Sequence, residues 1–455
     1  MSYDSTKQQA YRLNADLVDQ INYAVKTDNK AEFNLLFGSL HVADKADLLE
    51  QIGRSERRQL LNLWGDAIEG LVLLELEQGV RDQILNGLDS RVIKKILKTL
   101  DTDEVVNLIE DINPLVQEKL LKLLKYKSKE AIRQALSYQA LTAGRLMQRE
   151  VVTVPEHFNV GNAIDLMRSR DDLPKDFYEI IIVDSKFHPT GVVSLGKLMA
   201  SKRNVSLLEI SSKTCRLIPV SQSQEDVAYA FNQYHMVSAP VINEEGRLVG
   251  VINIDDAMNI LEDETEEDMK KIVGLGDEEL SDSVMEIVLN RFPWLLTNLL
   301  TAILASIVIA QFASTIEALV ALAVLMPIVA SMGGNAGTQT VTVAVRALAT
   351  RDLTSANSIR VIYRELLVGL LNGCIFSIIM GFIGFIWFQN FYLGVVLGLA
   401  MIFNMLIAAL SGILLPISLT KAGVDPALSS NVLLTTLTDI VGFFVFLGLA
   451  SWFLL

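Results

Sequence analysis

Residues 426–455 read PALSSNVLLTTLTDIVGFFVFLGLASWFLL, and Asp439 is the only ionisable side chain among them. A run of this length and apolarity reads as a membrane-spanning helix, for which about 20 residues suffice. A carboxylate at that depth is costly unless it faces water, a cation or a partner. Asp439 is therefore a functional candidate, and a cation path is the first hypothesis.

Four more apolar windows precede it: roughly Pro293 to Phe312, Ala318 to Val345, Ile362 to Phe388 and Leu393 to Leu419. Residues 292–455 thus read as an all-α transmembrane domain with five helices, and the lipid bilayer is an expected partner. Within them five acids (Glu317, Asp352, Glu365, Asp425, Asp439) balance five bases (Arg346, Arg351, Arg360, Arg364, Lys421). The whole net charge of −14 therefore belongs to residues 1–291. That acidity argues against nucleic acid as a partner, because phosphate binding needs a basic surface, and it suits cations. The bases gather between the second and third windows and between the fourth and fifth, whereas the other two connections have none. The positive-inside rule then gives a multi-pass protein of the cell (inner) membrane, N-terminus cytoplasmic and C-terminus outside. Met1 to Gln20 is polar and reads as no secretory signal. Cys215 and Cys374 are the two cysteines, too few for a disulfide framework.

The soluble part changes character near Tyr138. Before it, apolar-periodic segments recur about every twelve residues (Ala46 to Ile52, Arg57 to Trp64, Ala67 to Leu76, Val80 to Leu88, Arg91 to Leu100, Asp103 to Ile112, Leu115 to Leu124), which fits short helices stacked as an α-helical superhelix, with an irregular bundle as the plainer reading. After it, a strand, helix, strand, strand, helix pattern occurs twice. The strand pairs are Glu179 to Val183 with Gly191 to Ser194, and Ala239 to Ile242 with Leu248 to Asn253. Each follows an opening stretch, Val151 to Pro155 or Cys215 to Val220.

This paired α/β unit resembles a tandem of CBS domains. The chain order is similar to that of the MgtE family of magnesium channels, and the likeness extends to Pro327-Ile-Val-Ala-Ser-Met-Gly-Gly-Asn-Ala-Gly-Thr-Gln339 and Asp425-Pro-Ala-Leu-Ser-Ser-Asn431. The expected domains are a helical N domain at 1–137, CBS domains at 138–204 and 205–261, an acidic linker (plug) helix at 262–291, and the membrane domain at 292–455. The resemblance implies Mg²⁺ entry across the plasma membrane, gated by intracellular Mg²⁺, in a homodimer with the pore on its axis. It further implies that Asp439 binds Mg²⁺ with the backbone carbonyl of Thr435, and that Asn431 and Asp425 lie near the inner part of the pore. Read from residues alone, Asp425 equally fits a helix cap ahead of Pro426.

In the second window, Gly333, Gly334 and Gly337 loosen a helix and admit close approach, and Pro327 removes one hydrogen bond. Asn335 and Gln339 offer amide oxygens if this segment lines a wet cavity; a tight helix crossing is the alternative. The windows contain no histidine. An oxygen-only path favours Mg²⁺, which keeps much of its water, with Mn²⁺, Co²⁺ or Ca²⁺ as leak species.

From Asp255 to Glu286 thirteen acids face two bases, Lys270 and Lys271. Against another acidic surface such a segment repels itself until divalent ions neutralise it, which gives a feedback device; a solvated acidic face is the plainer reading. By resemblance the regulatory ligands are Asp256, Glu264 and Glu267 with Asp103 and Glu104, while Asn107 and Asn259 replace acids and imply weaker Mg²⁺ sensing. ATP-binding CBS units carry a Ser or Thr and, three residues on, an Asp. Here one copy has Ser194 with Lys197 and the other Asn253 with Asp256, which counts against ATP as a ligand. A Na⁺- or H⁺-coupled divalent cation transporter is the alternative, and an inert-span sensor a further one. An enzyme is not expected, since no nucleophile and base pair stands out.

Overall fold

Polar cap residues at short intervals break the first part of the chain into short helices. The computed structural model describes residues 13–455 apart from 111, 113, 125, 171–172, 175–176, 213–214, 277, 279–283 and 429. Asp277, Glu279 and Asp282 of the acidic run, and most of the polar opening segment, lie outside the described residues.

Helices run over Ala15–Lys26, Lys30–Gly38, Val42–Gln51, Arg54–Trp64, Gly70–Leu74, Gln78–Gly87, Ser90–Thr99, Thr102–Glu110, Pro114–Leu121 and Tyr126–Ser137. Asn14, Asn29, His41 and Asp89 each accept a hydrogen bond from the first turn that follows them. Helices this short are unstable alone. They share one core instead, built on Ile21, Phe33, Phe37, Leu48, Leu60, Leu73, Ile84, Ile96, Leu108 and Ile109. The first two helices and Tyr126–Ser137 add to those read from the sequence.

Two three-stranded sheets follow, β1 (Thr153–Pro155), β2 (Glu179–Val183), β3 (Pro189–Ser194) and β4 (Ile218–Pro219), β5 (Ser238–Ile242), β6 (Leu248–Asn253). In each the first pair is parallel and the second antiparallel. The register shifts at Ile182/Val183 in one copy and at Val241/Ile242 in the other, which marks them as repeats of a single unit. Strand alternation divides the side chains: Ile180 and Ile182 enter their own copy's core, whereas Ile181, Val183 and Val192 meet Leu248 and Val251 of the other copy.

The chain separates into two units, Met1–Asp263 and Glu264–Leu455. The helix Ile254–Val273 carries it from one into the other. In the second unit five helices are long and apolar enough to cross a membrane: Val284–Ala310, Ala321–Ala349, Ser358–Phe388, Phe391–Lys421 and Asn431–Phe453. The first starts well before its apolar window, and a short helix, Ala313–Ala318, follows it. The fourth span is the core of the bundle, with 61 % of its apolar window buried against 6 % for the first and 11 % for the third.

The second span corrects one expectation. It is a continuous helix through Pro327 and all three glycines, not a loosened segment. Its glycines serve close packing. A Cβ at Gly337 would come 2.7 Å from Leu434, and one at Gly333 would collide with the Asn404 amide.

Candidate functional site

Asn431, Thr435 and Asp439 recur every four residues, which sets them on one face of the fifth span. Glycine brings the second span against that face: Gly334 lies beside Thr435, where an added Cβ would sit 4.0 Å from its methyl. One turn on, the Thr338 hydroxyl donates to Asn431 Oδ1 at 2.8 Å. The hydroxyl of Thr435 turns back onto the carbonyls of Asn431 and Val432 at 3.0 and 3.1 Å, and that of Thr438 onto the carbonyls of Leu434 and Thr435, both at 3.1 Å. The Thr435 side chain is thereby occupied, and its carbonyl has a side-chain donor.

Asp439 is half-buried, and among the described residues nothing hydrogen-bonds or ion-pairs with its carboxylate. On the second span Ser331, Asn335 and Gln339 form an exposed row at four-residue spacing. Within it Asn335 Nδ2 reaches Ser331 Oγ at 3.4 Å. The structure thus brings together Gly334, Thr338, Asn431 and Thr435. Among the described residues no hydrogen bond joins Asn335 or Gln339 to the fifth span.

Asp425 is engaged twice. Its Oδ1 accepts from the Ala427 amide at 2.8 Å, which is the cap the sequence allowed, and its Oδ2 pairs with Lys271 Nζ at 2.7 Å. Lys271 also pairs with Glu267, at 2.5 Å. Burial opposes the charge on Lys271, but the Asp425 and Glu267 carboxylates outweigh it and hold the ammonium well above the ordinary lysine range. Beside this pair Ile272 packs with Val341, Val345, Ala427 and Leu434, so the end of the acidic helix is seated on the second and fifth spans. Glu264 is half-buried on the same helix. The ion pair had no sequence signal beyond the two lone bases.

The other acids lie in the first unit. Burial, then the charge of Asp256, pushes Asp103 well above the carboxylate range. Burial, then Asp255, raises Asp256 to about 7, with Glu104 contributing. Glu150, which the sequence reading passed over, joins them: its Oε1 accepts from the Thr102 hydroxyl at 2.7 Å. Asp103 Oδ1 and Glu150 Oε2 are buried with no hydrogen-bond partner among the described residues, a costly arrangement that a cation would relieve. Among the described residues, however, no three such side chains converge into a ready metal site. Asn107 turns away to Arg81, whose Nη1 donates at 3.4 Å, and Asn259 is exposed.

At the nucleotide positions, Ser194 Oγ accepts from the Lys197 amide at 3.4 Å as a helix cap. Asn253 Nδ2 donates to Gln148 Oε1 at 3.0 Å, and Gln148 Nε2 in turn donates to Asp101 at 3.1 Å. Both are committed to internal bonds.

Residues 326–449 match the family described as divalent cation transporter, residues 40–140 its intracellular N domain, and residues 143–203 and 209–263 the CBS domain. The chain is 33 % identical over 357 residues to the magnesium transporter MgtE of Thermus thermophilus, covering 77 % of this chain and 78 % of that protein. It is 26 % identical over 441 residues to the Bacillus subtilis protein of the same name, covering 96 % and 98 %. The crystal structure of the cytosolic domain of the Mg²⁺ channel MgtE in complex with ATP matches in fold, with a TM-score of 0.50, 24 % identity, and coverage of 53 % of this chain and 99 % of that one. With its N domain, CBS pair and five membrane helices, the chain belongs to the MgtE family of divalent cation transporters.

Proposed function

We propose that the protein carries Mg²⁺ into the cytoplasm through a pore lined by Asp439. The observation that carries this reading is the unpaired Asp439 carboxylate on the Thr435 and Asn431 face, next to a second span whose Ser331, Asn335 and Gln339 are exposed in the single chain. In lipid that polar row would be stranded; it requires water or a second protein surface. A homodimer with its two-fold axis along this face meets the requirement. Two Asp439 carboxylates then share one ion. Mg²⁺ surrenders water reluctantly and takes oxygen in octahedral geometry, so a hydrated ion held by carboxylates, amide oxygens and helix carbonyls suits this donor set. The names of the relatives support Mg²⁺ as the cargo.

Regulation belongs to the soluble acids. With the cytoplasm containing residues 1–291, Mg²⁺ at Asp103, Glu104, Glu150 and Asp256 would favour the state in which they are close, since a ligand shifts an equilibrium only by binding one state better. The linker helix, held at Asp425 by Lys271 and carrying Glu264 and Glu267, transmits that state to the membrane helices. Proteoliposome uptake of Mg²⁺ tests the cargo and its coupling. Uptake that persists without Na⁺ and across pH 6.5–8 is expected. A strict requirement for either ion would replace the pore by a coupled transporter.

A further inference from the structure

Asn404 lies midway along the fourth span, is 1 % exposed, and takes no part in the ion path described above. Its amide is wedged among three helices. Nδ2 donates to the Val329 carbonyl of the second span at 2.6 Å. A Cβ at Gly333 would run into the amide, and one at Gly442 of the fifth span would come 3.0 Å from Oδ1. Glycine at both places makes the slot.

The occupant of that slot is chemically expensive. Asn404 Oδ1 is fully buried, and among the described residues no donor reaches it. A leucine, branched at the same atom, would fill the space without stranding an acceptor, so packing alone does not account for an amide here. What the amide adds is a fixed bond to the second span from a side chain that also abuts the fifth. The location gives that bond its meaning. Gly442 is three residues beyond Asp439, and Gly333 two before Asn335. Along the fifth span, Asp439 lies between two points tied to the second span: Asn431, bonded to Thr338, and Gly442, against which Asn404 is seated.

We propose that Asn404 is a positioning residue for the ion path. Its amide fixes the separation of the second and fifth spans, and so the setting of the Asp439 carboxylate and the Asn335 amide around the passing ion. The proposal rests on the reading of Asp439 as a Mg²⁺ ligand. Because Mg²⁺ demands near-octahedral geometry and Ca²⁺ does not, loosening this frame removes discrimination before it removes transport.

The test uses the full-length protein in proteoliposomes, with Mg²⁺ uptake, Ca²⁺ uptake and thermal midpoint read separately. Asn404→Leu keeps the branched shape and deletes the bond; the Mg²⁺ to Ca²⁺ uptake ratio is expected to fall about tenfold, the lower end of losses seen when an outer partner of a metal ligand is removed. Gly333→Ala is expected to lower the thermal midpoint, and adding Asn404→Ala to restore the midpoint but not the ratio. If Asn404→Leu does not fold, this double variant decides. An unchanged ratio in folded Asn404→Leu, or a ratio that recovers with the midpoint in the double variant, makes Asn404 a packing residue and overturns the proposal. A midpoint that does not recover contradicts the slot itself. Asp439→Ala is run alongside: wild-type transport in it removes the Mg²⁺-path reading, whereas an inactive Asp439→Ala beside an unchanged Asn404→Leu removes only the positioning role.

Discussion

Each carboxylate oxygen of Asp425 has its own task, one capping a turn and the other holding Lys271. Removing these separately is informative. Asp425→Asn, which keeps a capping oxygen and removes the charge facing Lys271, is expected to cost about 1 kcal/mol, the range for a partly exposed pair, and Asp425→Ala about 1 kcal/mol more because the cap is lost as well; the difference in thermal midpoint between the two variants measures the cap. Equal midpoints would assign the whole effect to the ion pair. Asp256 supplies a pH dependence of definite sign. Its folded value of about 7 lies above its ordinary 3.8, so its contribution to stability is full below pH 4, declines as the pH rises, and levels off above pH 7. Hydrogen exchange over residues 254–260 in EDTA, corrected for intrinsic rate, should lose protection between pH 5 and 7.5, and added Mg²⁺ should restore it at pH 7.5. A flat profile would contradict the electrostatic account of this cluster.

At the scale of elements, the second and fifth spans depend on glycine contacts at Gly334 and Gly337. Gly337→Leu forces a side chain into Leu434, for which overpacking costs about 1–3 kcal/mol; it should lower the thermal midpoint, while Gln339→Leu, on the exposed face, should leave it nearly unchanged in detergent. A Gly337→Leu midpoint equal to wild type would show that these spans are not in close contact. The spans themselves were legible because ~20 consecutive apolar residues have few other readings. So were the repeated strand pairs, whose polar turns and β-branched runs occur twice in the same order. The unbroken second span was not legible: glycine in an apolar helix is compatible with loosening and with close packing, and only the identity of Leu434 and Asn404 opposite decides. Asn404 itself gave no local signal, since a lone amide in an apolar run acquires meaning only from glycines about 70 and 40 residues away.

At the scale of the whole molecule, Asp439 stands alone in the fifth span, whereas Asp103, Asp256, Glu104 and Glu150 face one another. Asp439 was visible as a lone acid in an apolar run, and Thr435 and Asn431 came only through the family resemblance; their four-residue spacing then sets them on the face that Asp439 occupies. The soluble cluster was only half visible. Glu150 follows the end of one domain and meets Thr102 through tertiary contact alone, and Asn107 proves to be turned toward Arg81. If Mg²⁺ neutralises this cluster, limited proteolysis of the linker should slow as Mg²⁺ is raised, and Glu150→Gln should shift the midpoint of that titration; an unshifted midpoint would leave Glu150 outside the sensor. The account as a whole depends on Asp439 carrying the ion. Patch recording of reconstituted protein with Mg²⁺ as the sole permeant cation, wild type beside Asp439→Ala, tests this most directly: the account predicts a Mg²⁺ current in the wild type that is lost in Asp439→Ala, and an undiminished Mg²⁺ current in the variant would contradict it.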